Sequence, residues 1–283
     1  MIEPQIQIAL DHVSNNEFDK IHIEDSWIDE AGEALKVALR KQLSPRDSEF
    51  GLRMSNVGRP LCQLQMQASG AKGTRKPYNF ANIMMIGDCV EIITDLMMKI
   101  ANVNVTGRSD KVELQVDGTI IKGTDDVTID HKVYDIKSAS PWSFSNKWSQ
   151  GYEYLKDHDD FGYVSQLHGY ASAKGQEPGG WIVVCKSTGA VKVVECDASV
   201  DERRAISERI KTSVNSFIAD APFERCFEPV DDKWRGKPTG RKRLGKTCEF
   251  CDYKAQCWPN AVFKAHPDSE AKNPPQYWYL EDE

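Results

Sequence analysis

Residues 119–138 read Thr-Ile-Ile-Lys-Gly-Thr-Asp-Asp-Val-Thr-Ile-Asp-His-Lys-Val-Tyr-Asp-Ile-Lys-Ser. Two short apolar runs, 119–121 and 133–136, flank a polar stretch, the pattern of strand, turn and strand. Side chains alternate between the faces of a strand, so Asp135 and Lys137 leave one face while Ile136 points the other way, toward a core. Asp126 follows Gly123 by three residues. Two carboxylates and an ammonium are thus gathered at the rim of a sheet. Crowded carboxylates repel one another, and a hard divalent cation relieves that repulsion. Taken alone, the same residues also describe an exposed edge of alternating charge.

The neighbouring segments supply the rest of a domain. Residues 79–101 carry a helical apolar stripe of Ile83, Ile86, Val90, Ile93, Met97 and Ile100. Glu91 lies one step off it, where a glutamate by itself reads as a boundary residue reaching for water. Residues 111–116 alternate as a strand does, and Asp117-Gly118 is a hairpin-type turn. Residues 139–158 hold Trp142, Phe144, Trp148, Tyr152 and Tyr154, which suit either a packed core or a stacking surface for bases. Residues 161–174 suit a helix that carries Gln166 and Tyr170 on one face. Residues 181–186 read as a buried strand, 187–189 as a turn, 190–195 as its partner, and 200–218 as a charged amphipathic helix. Residues 27–43 read as a helix ended by Ser44-Pro45, whereas residues 1–24 show no clear pattern. The core order is helix, strand 111–116, strand 119–128, strand 132–138, helix, strand. That is αβββαβ, an α/β (α+β) fold with a mixed sheet flanked by helices.

The chain has 283 residues and a formal net charge of -7, which excludes a protein that coats DNA through overall positive charge. A nucleic-acid partner would need local basic patches, and residues 72–76 and 233–246 are the candidates, both read as loops. No apolar run reaches the length of a membrane span, and residues 1–30 lack a signal-peptide layout. The expectation is a soluble, cytoplasmic protein with no membrane partner. Cys248, Cys251 and Cys257 are spaced C-x2-C-x5-C, and Cys62 stands far ahead of them. In an intracellular chain such spacing favours metal over disulfides, and four thiolates suit zinc or an iron–sulfur cluster. Cys89, Cys185, Cys196 and Cys226 read as ordinary buried thiols. The tail after Cys257 is Pro-rich, ends acidic, and is expected to be loosely held.

Together these motifs resemble the PD-(D/E)XK nuclease superfamily, and within it the RecB-like group. The matching residues are Gly123-Thr-Asp-Asp126, Asp135-Ile-Lys137 and Gln166-Leu-His-Gly-Tyr170, with Glu91 four residues after Gly87 on the first core helix. Many RecB-like members carry histidine at that first position; the glutamate here is similar to exonucleases of the lambda type. One cysteine before the core and three after it resembles the iron–sulfur members, including CRISPR-adaptation nucleases and AddB-type nuclease domains. The resemblance implies a [4Fe–4S] cluster on Cys62, Cys248, Cys251 and Cys257, with zinc as the alternative. It covers residues 51–262 as the nuclease domain, and leaves 1–50 as a helical extension and 263–283 as a tail.

The resemblance further implies metal-dependent hydrolysis of DNA phosphodiester bonds. Glu91, Asp126, Asp135 and the Ile136 carbonyl would bind Mg2+ or Mn2+, Lys137 would act on the attacking water or the transition state, and Gln166 and Tyr170 would position the substrate. No Gly-x-x-x-x-Gly-Lys-Ser/Thr sequence occurs, so these residues carry no P-loop motor. The first expectation is an exonuclease of DNA replication, recombination or repair, of phage or mobile-element type, with a recombination or replication partner or an oligomer left open. The alternatives are a CRISPR-adaptation-type or structure-specific endonuclease, and a non-catalytic DNA-binding scaffold.

Overall fold

The structure, a computed structural model, describes residues 1–45 and 50–281. Residues 46–49 and 282–283, parts of the expected extension and tail, lie outside the described residues. The helices are α1 (Ile2–Ser14), α2 (Asp25–Leu43), α3 (Leu61–Ala68), α4 (Phe80–Ile100), α5 (Pro141–Asn146), α6 (Gly151–Asp157), α7 (Tyr163–Lys174), α8 (Val200–Ile218), α9 (Lys246–Phe250) and α10 (Lys254–Cys257). The strands are β1 (Val105–Arg108), β2 (Lys111–Val116), β3 (Thr119–Thr124), β4 (Val127–Ile129), β5 (Lys132–Ala139), β6 (Glu177–Cys185), β7 (Val191–Glu195), β8 (Val230–Trp234), β9 (Lys237–Arg243), β10 (Ala261–Ala265) and β11 (Gln276–Leu280). The chain forms two compact units, Met1–Gly58 with Pro77–Thr212, and Arg59–Lys76 with Ser213–Glu283. These units do not follow the expected boundaries at residues 50 and 262.

The first unit is built on a five-stranded sheet of order β1-β4-β5-β6-β7. The pair β5–β6 is parallel and the others are antiparallel, so the sheet is mixed. Parallel neighbours need a crossover, and the segment containing α7 provides it. On one face Tyr134 and Ile136 of β5 and Ile182 of β6 pack with Met98 of α4 and with Ile2 and Ile6 of α1. Residues 1–24, which showed no clear pattern in the sequence, thus contribute a core helix through the spacing of Ile2, Ile6 and Ala9. On the opposite face Trp181 is fully buried, tilted against Trp148 at 6.1 Å and stacked on Tyr152 at 6.4 Å between ring centroids. Trp148 and Tyr152 therefore belong to the core, whereas Trp142 is 60% exposed.

The expected single strand 119–128 is broken in two. Strand β3 pairs with β2 across Asp117-Gly118 as the turn signal implied, but β4 pairs with β5 in the main sheet. The break lies at Asp125-Asp126. There Asp125 turns inward, accepts the Asp110 N–H at 2.7 Å and pairs with Lys174 at 2.7 Å. The β4–β5 hairpin turns on Asp130 and His131 with φ of 48° and 63°, so it makes a two-residue left-handed turn without glycine.

The second unit holds a four-stranded sheet of order β10-β11-β9-β8. Two expectations are corrected here. The basic stretch 233–246 is not a loop throughout: most of it is the β8–β9 hairpin, turning on Arg235 and Gly236 at φ of 49° and 81°. Two of its arginines are drawn inward, since Arg241 and Arg243 both lie 3.5 Å from the buried Asp232. Nor is the tail loosely held. Strand β11 pairs with β10 and with β9, and Tyr279 is 1% exposed. The run Gln-Tyr-Trp-Tyr-Leu is rich in strand-forming aromatics; it pairs along its length with the preceding strand β10 and reaches the more distant β9 through Tyr279↔Arg243. No helix of the described residues is long and apolar enough to cross a membrane.

Candidate active site

The first unit brings the expected acidic residues to the edge of β5. Pairing with β4 stops at Val127↔Tyr134, so the next outward-facing N–H on β5, that of Ile136, has no strand beside it. Asp126 fills the gap: its Oδ2 accepts the Ile136 N–H at 2.7 Å. Ile136 itself is buried in the core as its alternation predicts. Asp135 and Lys137 emerge on the other face, with Lys137 Nζ 2.6 Å from Asp135 Oδ2. Despite that short approach, Asp135 Oδ2 is buried with no hydrogen bond of acceptable geometry. The ammonium therefore answers this oxygen as a close ion pair, off the direction of a strong hydrogen bond. Lys137 also stands 5.3 Å from the Tyr163 ring centroid.

The electrostatics show an excess of carboxylate. Burial pushes Glu91 up to about 7, aided by Asp88 and Asp135 and opposed by Lys137. By surface area Glu91 is exposed, so its carboxylate opens to solvent from within a hollow rather than lying under the core. Burial also pushes Asp126 well above the carboxylate range; Asp135 and Glu91 add to that, and Lys137 and the Ile136 N–H oppose it. Burial acts to lower the Lys137 pKa, but Asp135 and Asp126 outweigh it and hold the ammonium charged.

The glycine of Gly-x-x-Asp has a steric reason. A Cβ on Gly123 would come 2.7 Å from Tyr170 Cε1 and 2.6 Å from Met54 Cβ. Only glycine lets the Tyr170 ring lie against β3. Burial raises the Tyr170 phenol to about 12, against a hydrogen bond with Gln166. The two residues of α7 thus interact with each other, and Tyr170 also feels the charges of Asp126 and Asp135. Gly87 is less constrained, since an added Cβ would meet Ser138 Oγ at an ordinary 3.9 Å. The two neighbours that compete with the motif residues by position are engaged elsewhere: Asp125 with Lys174, and Asp88 with Gln42 Nε2 at 2.7 Å.

A cavity of about 260 Å³ adjoins this edge. Glu91, Asp126 and Ile136 line it, with Trp27, Glu30, Ala31 and Ala34 of α2 and with Lys99 and Arg108. Lys99 pairs with Glu30 and lies 3.7 Å from Asp95, which also pairs with Arg108. Sequence reasoning missed this wall. No local signal ties α2, outside the expected domain, to residues near the end of α4 and in the short β1.

Among the described residues, no three His, Cys, Asp or Glu side chains stand ready-made as a metal site. The chemistry of the donors nevertheless fits a hard divalent cation. The oxygens are carboxylate oxygens, Asp135 Oδ2 is buried beside a single ammonium, and Glu91 and Asp126 are driven toward protonation because Lys137, with Lys41 acting on Glu91, does not offset burial and the neighbouring carboxylates.

The expected cysteines lie in the second unit. Cys62, Cys248, Cys251 and Cys257 line one small pocket with Pro60, Phe227 and Trp258. All are free thiols. Burial raises Cys248 to about 11, and Cys257 and Cys251 add to it, as expected where thiols crowd together. Soft sulfur donors converging in an apolar hollow fit zinc or an iron–sulfur cluster. One expectation fails: Cys226 is not a buried thiol but an exposed one, and its sulfur accepts the Cys62 N–H at 3.2 Å. Cys185 is buried as expected, while Cys89 and Cys196 are half-buried.

No family model and no curated protein matches the chain. A solved structure titled "Crystal structure of SSO0001" is similar to it at 16% identity and a TM-score of 0.44, covering 80% of this chain and 95% of that one.

Proposed function

We propose that this chain is a Mg2+- or Mn2+-dependent deoxyribonuclease of the RecB-like PD-(D/E)XK type, acting as an exonuclease in DNA replication, recombination or repair. The observation that carries the reading is the grouping of Asp126, at the break just before β4, with Asp135 and Lys137 of β5, while Glu91 and Asp135 bear on one another's charge and a single close ammonium faces the buried Asp135 Oδ2. In this reading the β4–β5 edge is the nuclease core. Glu91, Asp126 and Asp135, with the Ile136 carbonyl, hold the cation, which acidifies water and offsets negative charge on the phosphate. Lys137 would supply a fixed positive charge where negative charge builds on the pentacovalent phosphate. Gln166 and Tyr170 orient the strand. The trio Glu30, Lys99 and Arg108 lines the approach to the carboxylates, and the two cations there suit backbone phosphates.

The four pocket cysteines hold a [4Fe–4S] cluster in the same reading, or zinc in its place, and their role is structural. The test is digestion of DNA by the purified chain with Mg2+, Mn2+ or EDTA, beside Lys137→Ala. Metal-dependent cutting that falls in the variant supports the reading. DNA binding without cutting in any metal favours a scaffold.

A further inference from the structure

Cys226 stands outside the C-x2-C-x5-C spacing, yet the fold carries it to the same place. Its sulfur accepts the Cys62 N–H at 3.2 Å, and the Leu61 N–H beside it, at the start of α3. It is also hydrogen-bonded to the Cys62 thiol. Both neighbours of Cys226 are fixed against the cysteine pocket. Arg225 Nε donates to the Cys257 carbonyl at 2.9 Å, and its guanidinium lies 4.1 Å from the Trp258 ring centroid. Phe227 lines the pocket itself. Cys226 is therefore held from three directions beside a candidate ligand. Backbone N–H groups directed at a sulfur favour its thiolate, the form that binds metal.

We infer that Cys226 belongs to the metal site, as a fifth thiol that can take the fourth ligand place in exchange with Cys62. This rests on reading the pocket cysteines as a metal site. A tetrahedral set needs four sulfurs. Cys248, Cys251 and Cys257 supply three. Cys62 and Cys226, in contact with each other, offer two candidates for the remaining place, so losing either one leaves a complete set.

The test compares the full chain with Cys62→Ser, Cys226→Ser, the double variant and Cys251→Ser. Each is loaded anaerobically with ferrous iron and sulfide, or with Zn2+ alone. Bound metal is measured by elemental analysis, and folding by circular dichroism. Each single variant at Cys62 or Cys226 should keep about half or more of the bound metal, while the double variant should lose it about tenfold, as Cys251→Ser does. In Cys62→Ser, metal loading should also protect Cys226 from iodoacetamide. That labelling readout covers the case where the double variant does not fold. Loss of metal in Cys62→Ser alone, or unchanged labelling of Cys226 on loading, overturns the inference while leaving the four-cysteine site standing. Binding of neither metal by the unsubstituted chain overturns the metal-site reading and this inference with it.

Discussion

Asp126 Oδ2 accepts the Ile136 N–H at 2.7 Å, taking the place a neighbouring strand would hold. The same carboxylate is a proposed cation ligand, so it has a structural and a chemical task that two substitutions separate. Asp126→Asn keeps an acceptor for the N–H and should melt close to the unsubstituted chain, with cleavage abolished. Asp126→Ala should lose cleavage and also about 1–3 kcal/mol of stability, the cost of an unanswered buried N–H. Thermal melts beside a cleavage assay decide it; equal destabilisation by both variants would remove the structural half of the claim.

Lys137 is the cation closest to Asp135. Lys137→Ala should slow cleavage by about 10²–10³-fold, the scale of losing one electrostatic stabiliser. It should also destabilise the metal-free protein by about 3–5 kcal/mol, because Asp135 is left buried without its counter-charge. Added Mg2+ should then raise the melting temperature of the variant more than that of the unsubstituted chain. An equal rise in both would show that the cation does not sit against Asp135.

The raised Glu91 pKa of about 7 sets a pH dependence. A carboxyl group whose folded pKa exceeds its unfolded value stabilises the fold below the unfolded pKa, and that contribution is lost as pH rises through the folded value. The metal-free protein should therefore lose stability between about pH 4.5 and 7, from the ordinary carboxyl value to the raised one, while Mg2+ affinity rises over the same window as the carboxylate ionises. Glu91→Gln should flatten both trends. Calorimetric titration of Mg2+ at several pH values measures this, and affinity independent of pH would contradict it.

On the wall of the cavity, Glu30 pairs with Lys99 beside Asp95 and Arg108. If Lys99 and Arg108 receive backbone phosphates, Glu30 competes with the substrate for Lys99. Glu30→Gln should lower KM for DNA several-fold at low salt, with the gain disappearing at about 1 M salt, where the screening length shrinks to about 3 Å. Arg108→Ala should raise KM. A change confined to kcat in both variants would place the strand elsewhere.

What was legible in the sequence was whatever local chemistry dictates. Asp117-Gly118 announced its turn because glycine tolerates a positive φ, whereas Asp130-His131 makes the same kind of turn without one and could not be read. Strand β5 was clear from its alternation. The break between β3 and β4 was not, because it depends on Asp125 meeting Asp110 and Lys174, which lie far off in sequence. Gly-x-x-Asp pointed to Asp126, and the structure supplies the reason for its glycine in the Tyr170 ring. The pairing of β11 with β9, the α2 wall of the cavity and the approach of Cys226 to Cys62 are all long-range contacts, and no spacing rule encodes them.

The most direct test of the central claim is a time course on end-labelled linear and on circular DNA, single- and double-stranded, with Mg2+, Mn2+ or EDTA, beside Asp126→Asn. The account predicts metal-dependent loss of linear but not circular DNA, absent with EDTA and absent in the folded variant. Nicking of circles would keep the metal centre but make the enzyme an endonuclease. Cutting that persists in EDTA or in Asp126→Asn would contradict the account.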